Sequence, residues 1–132
     1  MRKSIKLLVK KRANHRCEYC QMPRHLDVRP FQIDHIRARK HGGKSQLSNL
    51  ALACFLCNIH KSSNAAGFDP VTDNLYPLFH PRRDAWNRHF RWNGARVVGK
   101  TAKGRTTIVV LKMNSPKRIE HRRRLIVLEE FP

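Results

Sequence analysis

The residues of this chain best suited to chemistry begin with four cysteines, in two C-x-x-C pairs: Cys17-Glu18-Tyr19-Cys20 and Cys54-Phe55-Leu56-Cys57. A two-residue spacer lets both sulfurs of a pair turn toward one point, and two such pairs supply the four thiolates of a tetrahedral Zn²⁺ site. Two disulfides are the alternative, disfavoured by the intracellular character of the chain. A thioredoxin-type redox motif would not explain two such pairs. The expectation is therefore structural zinc on Cys17, Cys20, Cys54 and Cys57. The pairs are separated by 33 residues, Gln21 to Ala53, longer than a plain zinc ribbon usually has, so something is inserted between them. Within that insertion lies a lone carboxylate. Asp34 is the only acidic residue between Asp27 and Asp69, amid Arg29, Arg37, Arg39, Lys40, Lys44 and Lys61. It can serve a metal beside a phosphate, or it can be one half of a salt bridge; charge alone does not choose.

The chain that must position these groups has 132 residues, enough for one domain with short arms and too few for two substantial ones. Lys and Arg number 28 against nine Asp and Glu, a formal charge of +19. So large a charge on so small a chain self-repels, and nucleic acid is the polyanion that commonly offsets it. Hydrophobic residues make up 40%, so the core is small and gains from a metal staple. No run approaches the roughly 20 apolar residues of a membrane span. The opening Met1–Lys10 is too broken by lysines for a secretory signal. A cytoplasmic protein is expected, with no membrane partner.

Residues 4–14 read as a basic amphipathic helix with Ile5, Leu8 and Val9 on its apolar face. Residues 28–36 read as extended, since Phe31, Ile33 and His35 alternate with Gln32, Asp34 and Ile36. Residues 37–44 form a basic loop turning at Gly42-Gly43. Ser45 or Ser48 can cap a short helix through Leu50 and Leu52 toward Cys54, and residues 58–65 a further helix ending near Gly67. Asp69-Pro70 opens a loop, and residues 75–99 hold both tryptophans, read as core. Residues 100–105 read as a turn-rich bend, and 106–113 as either strand or helix. Pro116 suits the first turn of a last helix over 116–128, with Ile119, Arg123 and Ile126 down one side. The Arg122-Arg123-Arg124 run is either a DNA-contacting arm or a solvated helix face.

Taken in order, the features from Cys17 to Lys61 form a pattern. A cysteine knuckle precedes Ile33-Asp34-His35-Ile36, then Gly42-Gly43, Ser48-Asn49-Leu50, the second knuckle and Asn58-Ile59-His60-Lys61. This segment, about a third of the chain, closely resembles the HNH endonuclease family. The tail, with Pro77–Arg82 and Trp86–Trp92, is similar to extensions on some bacterial and cyanobacterial members. The resemblance implies an α+β fold: a ββα-metal core with structural zinc over residues 17–66. A basic N-terminal helix (1–16) precedes it, and a mixed or helical extension (67–132) packs on it. It further implies hydrolysis of DNA phosphodiesters with one catalytic divalent cation; RNA is not excluded.

Chemistry supports the implied roles. His35 suits a general base, since an unperturbed imidazole titrates near 6.5. Asp34 suits an oxygen ligand for Mg²⁺ or Mn²⁺. Adjacent strand residues face opposite sides, so Asp34 and His35 need a strand end or turn to reach one phosphate. By resemblance Asn49 holds the segment bearing the base. Asn58 stands where many members carry His, and takes the second ligand position, with His60 as the alternative; a His ligand would also admit Ni²⁺ or Zn²⁺. Arg37, Arg39, Lys44 and Lys61 are candidate phosphate contacts. The rival reading is a non-catalytic zinc-stabilised module that binds nucleic acid. A zinc nucleobase deaminase ranks lower, because no His-x-Glu is present and neither knuckle follows proline. His15, His25, His41, His80, His89 and His121 receive no role. Strand preference, specificity and oligomeric state are not encoded in any of these signals. If the cysteines hold zinc, Cys54→Ser should lose the metal and melt at a lower temperature, measured by metal analysis and thermal unfolding; unchanged metal content would count against the four-cysteine site.

Overall fold

Alternation around Phe31–Ile36 yields a strand, β1 (Gln32–His35), in the computed structural model, which describes residues 1–132. Its antiparallel partner is β2 (Leu50–Ala53), in the register Gln32 with Ala53 through His35 with Leu50. The expected helix through Leu50 and Leu52 is therefore replaced by a strand. Leu-Ala-Leu-Ala favours helix as an isolated stretch, but here all four residues are buried, and pairing with β1 outweighs the weak local preference. Only a 3₁₀ turn, Leu47–Asn49, precedes the strand. The basic loop between the strands contains a second 3₁₀ turn, Arg39–His41, closed by Gly42 at φ +85°, a conformation that glycine adopts without penalty.

Helix α1 (Lys3–Arg12) packs on β2, with Val9, Leu50 and Leu52 as the buried cluster and Ile5, Ala13, Phe31 and Ile33 around it. Leu8, expected on the apolar face, is 52% exposed. At the end of α1 the Arg12 guanidinium donates to the Leu50 carbonyl at 2.6 Å. Helix α2 (Phe55–Lys61) begins inside the second knuckle, earlier than the expected start at residue 58. Cys54 is its N-cap, with Sγ accepting from the Cys57 amide at 3.4 Å. The knuckle thus sets the start of the helix.

The chain divides into two compact units: residues 1–65 with 80–84, and 66–79 with 85–132. The first is the β1–β2–α2 arrangement with α1. The second contains the hairpins β3 (Ala66–Phe68) with β4 (Leu75–Pro77) and β5 (Phe90–Asn93) with β6 (Arg96–Gly99), the short α3 (Trp86–His89), α4 (Ala102–Val110) and α5 (Pro116–Val127). The fold is mixed α+β, and no helix is long and apolar enough to cross a membrane.

Helix α4 packs against both hairpins of the second unit. The bend expected over residues 100–105 is its first turn: Thr101 caps it, accepting from the Gly104 amide at 3.0 Å. The ambiguous 106–113 segment continues it to Val110. A Cβ at Gly104 would lie 2.1 Å from the His89 carbonyl oxygen, so that close approach requires glycine. Arg105 makes a paired contact with buried Asp69, at 2.9 and 2.8 Å, tying α4 to the loop between β3 and β4. Trp86 and Trp92 pack with Phe90 and Phe131 at ring separations of 5.0 to 5.5 Å, as half-buried core.

Pro116 opens α5 as expected, yet the buried face is Arg118, Arg122 and Leu125 rather than Ile119, Arg123 and Ile126. The cause is backbone demand. The turn between α4 and α5 leaves carbonyls that need donors. Arg118 serves Leu111 at 2.8 Å, while Arg122 serves Ala95 and Met113, each at 2.7 Å, and lies over the Trp92 ring. The arginine run is thereby divided: Arg122 is interior, and exposed Arg123 and Arg124 pair with Glu120. Arg122→Ala strips one buried and one half-buried carbonyl of charged donors and is expected to cost about 3 kcal/mol, against about 0.5 kcal/mol or less for Arg123→Ala. Chemical denaturation followed by tryptophan fluorescence checks the contrast.

Candidate active site and metal cluster

The two knuckles meet. All four cysteines are buried and none is in a disulfide, their sulfurs lie within 4.8 Å of one another, and Cys20 Sγ is 3.7 Å from Cys54 Sγ. Thiolates about 2.3 Å from zinc at tetrahedral corners stand about 3.8 Å apart, so the donor set fits that metal. The Cys20 and Cys57 amides donate to Cys17 Sγ and Cys54 Sγ, each at 3.4 Å, which favours negative sulfur. Burial raises the Cys17 thiol well above its ordinary value, so loading a metal releases protons. The first knuckle is also fastened to β2. The Glu18 amide donates to the Leu52 carbonyl, the Glu18 carboxylate accepts from the Leu52 amide, each at 2.8 Å, and its other oxygen pairs with Arg82.

Beneath the sheet, Asp34 is 4% exposed and both of its oxygens are engaged. Tyr19, from within the first knuckle, donates its hydroxyl to Oδ2 at 2.6 Å. Lys61, at the end of α2, places Nζ 3.3 Å from Oδ1 and 3.2 Å from Oδ2. The same Nζ lies 3.1 Å from the His35 carbonyl oxygen. Burial pushes the Asp34 carboxyl up, while Lys61 and Tyr19 pull it down. Burial, then the Asp34 charge, raises the Tyr19 phenol, which keeps it a donor. Of the two uses open to this lone carboxylate, the salt bridge is present. The donors are nonetheless of the kind a hard cation takes: three oxygens, two of Asp34 and the His35 carbonyl, surround one positive centre, the Lys61 ammonium.

His35, the last residue of β1, presents its ring away from that pair. Its Nε2 is 2.9 Å from Ser45 Oγ and 3.4 Å from Arg39 Nε, and Arg39 Nη2 is 3.1 Å from the same hydroxyl. Arginine can only donate, which puts the imidazole lone pair on Nε2. Burial, then the Arg39 charge, lowers the His35 pKa, so the ring is neutral at neutral pH and able to accept a proton. Asp34 and His35 thus face different partners, as strand alternation dictates, and the strand end at His35 does not turn both side chains toward one point as expected from the sequence. Lys61 links them, through the carboxylate of one and the backbone of the other.

Asn49 secures the loop that carries Arg39 and Ser45. Its Oδ1 accepts from the Arg37 amide at 2.8 Å, and its Nδ2 donates to the carbonyls of Arg37 and Lys44 at 3.0 and 2.9 Å. A Cβ at Gly43 would lie 1.8 Å from the Arg37 carbonyl oxygen, so the loop can close only over glycine. Arg37, Arg39 and Lys44 are exposed, whereas Lys61, grouped with them from the sequence, is 1% exposed and lies inside with Asp34. Asn58 is half-buried on α2. It lies about 60° round the helix from Lys61, whereas His60 is about 200° round from Asn58. The face that reaches Asp34 is therefore the face bearing Asn58. Tyr19 and Ser45 were not singled out for the site from the sequence. Tyr19 had a signal in its place inside a metal knuckle; Ser45 had only its nearness to the Gly-Gly turn. Replacing Asn49 with Ala removes three hydrogen bonds and should cost about 2 kcal/mol in urea denaturation, with Asn49→Asp, which keeps the acceptor, falling between.

Comparison with known proteins places this geometry. Over 124 residues the chain is 25% identical to the Septu protein PtuB of Bacillus thuringiensis, covering 92% of this chain and 46% of that one. The chain thus spans about half the length of that relative. No solved structure matches. Residues 17–64 match the HNH endonuclease family model, a span that takes in both knuckles, β1, the Asn49 clamp, β2 and α2. The segment from Cys17 to Asn64 is thus similar to the HNH endonuclease family, on a chain whose four clustered cysteines are arranged to bind a metal.

Proposed function

We propose that the protein is a metal-dependent endonuclease that hydrolyses DNA phosphodiester bonds, with His35 as general base. The observation that carries this reading is the His35 ring: an imidazole at a strand end, its Nε2 within 2.9 Å of Ser45 Oγ and 3.4 Å of Arg39 Nε. Exposed Arg37, Arg39 and Lys44 surround that ring's loop, where a phosphate backbone can be bound. The +19 charge of the chain agrees with such a substrate.

In this mechanism His35 Nε2 removes a proton from water as the water oxygen bonds to phosphorus, and the bond to the 3′ oxygen opposite breaks in line. The departing oxygen takes a proton from solvent, leaving a 5′ phosphate and a 3′ hydroxyl. Arg39 and Ser45 orient the phosphate by donating to its non-bridging oxygens, and Asn49 keeps their loop closed over β1. Asp34 and Asn58 are the residues assigned to hold Mg²⁺ or Mn²⁺, with His60 as the alternative second ligand. A cation there supplies positive charge to the phosphate and the leaving oxygen.

A plasmid-nicking assay with Mg²⁺ or Mn²⁺ tests the reading. Wild type should nick, EDTA should stop it, and His35→Ala should lose at least about 100-fold in rate while keeping its melting temperature and DNA affinity. Full activity in His35→Ala removes the mechanism. Failure of the wild type to nick under any of these metals favours the non-catalytic zinc-stabilised nucleic-acid-binding module instead.

A further inference from the structure

Lys61 has no role in the chemistry above, yet it is among the most deeply buried charges in the chain, at 1% exposure. An ammonium gives up strong hydration on burial, and three oxygens replace it here: both of Asp34 at 3.3 and 3.2 Å, and the His35 carbonyl at 3.1 Å. A carboxylate and a strand-end carbonyl converging on one positive centre supply part of the oxygen set that a hard cation needs, the rest being open to Asn58 and water. We infer that Lys61 is a resident counter-cation, and that a divalent ion enters the Asp34–His35 cradle only by exchange with its ammonium. The inference rests on the assignment of Asp34 as a cation ligand.

Charge and reach both support the exchange. With Lys61 in place, the carboxylate and ammonium cancel, and the cradle offers a phosphate nothing. A divalent ion at the same oxygens leaves a net positive charge of one and frees a second positive group. Mg²⁺ also approaches oxygen to about 2.0–2.1 Å, far closer than the ammonium does. The lysine stem is unbranched and flexible, and Lys61 is the last residue of α2. Tyr19 stays bonded to Asp34 Oδ2, so the carboxylate keeps its place when the ammonium leaves.

The test uses the full zinc-loaded chain with Mn²⁺ as probe, and reads metal binding and lysine accessibility rather than cleavage. Binding is measured from the electron paramagnetic resonance of free Mn²⁺. Lys61→Met should bind Mn²⁺ at least tenfold more tightly than wild type, and Asp34→Asn should not bind it in the cradle. In the wild type, acetic anhydride labelling mapped by mass spectrometry should find Lys61 protected without Mn²⁺ and labelled at least tenfold faster at saturation, with exposed Lys10 unchanged. Equal or weaker Mn²⁺ affinity in a folded Lys61→Met overturns the inference, as does unchanged Lys61 labelling in wild type with Mn²⁺ bound. Should Lys61→Met fail to fold, the wild-type labelling decides. Binding lost in Asp34→Asn alongside an inert Lys61 overturns the exchange while leaving the cation site standing. DNA nicking in EDTA, with no Mn²⁺ bound to any variant, overturns both.

Discussion

Four sulfurs held within 4.8 Å join two parts of the chain that are 33 residues apart. The Asp34 side of the site is referred to that junction. The first knuckle brings Tyr19 to Asp34 and Glu18 to the Leu52 backbone. The second caps α2 through Cys54 Sγ, which fixes the rotation of the helix and so the direction from which Lys61 and Asn58 approach β1. In a unit whose central apolar cluster is Val9, Leu50 and Leu52 with a few half-buried neighbours, hydrophobic burial alone holds little in register. A metal on the thiols would replace missing core with bonds of fixed length and angle.

Polar clasps perform the same service elsewhere. Asn49 holds both backbone groups of Arg37, and Arg122 ties Ala95 to Met113. Arg105 holds Asp69 through both oxygens and keeps that carboxyl far below its ordinary range. Part of the basic composition is therefore structural. Arg12, Lys61, Arg105, Arg118 and Arg122 spend their donors on backbone carbonyls or buried carboxylates. The cations free to meet a polyanion are fewer than the composition implies, and Arg37, Arg39 and Lys44 gather on the loop beside His35.

The paired arrangement of Asp34 and His35 follows from strand geometry. Side chains at successive positions leave opposite faces. One therefore enters the interior, where a carboxylate must be compensated, and the other meets the loop, where an imidazole can remain neutral and reachable. A site that needs both a charged oxygen and a proton acceptor obtains two different environments from two adjacent residues.

What could be read from the chain alone was chemistry fixed by short spacing. Two C-x-x-C pairs dictate converging sulfurs, Gly42-Gly43 dictates a tight turn, and Pro116 dictates a helix start. Each depends on residues within a few positions of one another, so local geometry suffices. Long-range partners decided the rest. Leu50–Ala53 became a strand because β1 was available to pair with it, and residues 100–105 began a helix because Thr101 could cap it over Gly104. Arg122 rather than Arg123 turned inward because the carbonyls of Ala95 and Met113 lay there. Lys61 left the surface because Asp34, 27 residues earlier, needed a counter-charge that no sequence neighbour of either residue supplied. Such choices turn on which unsatisfied group lies across a few ångströms of space, a distance that order along the chain does not specify.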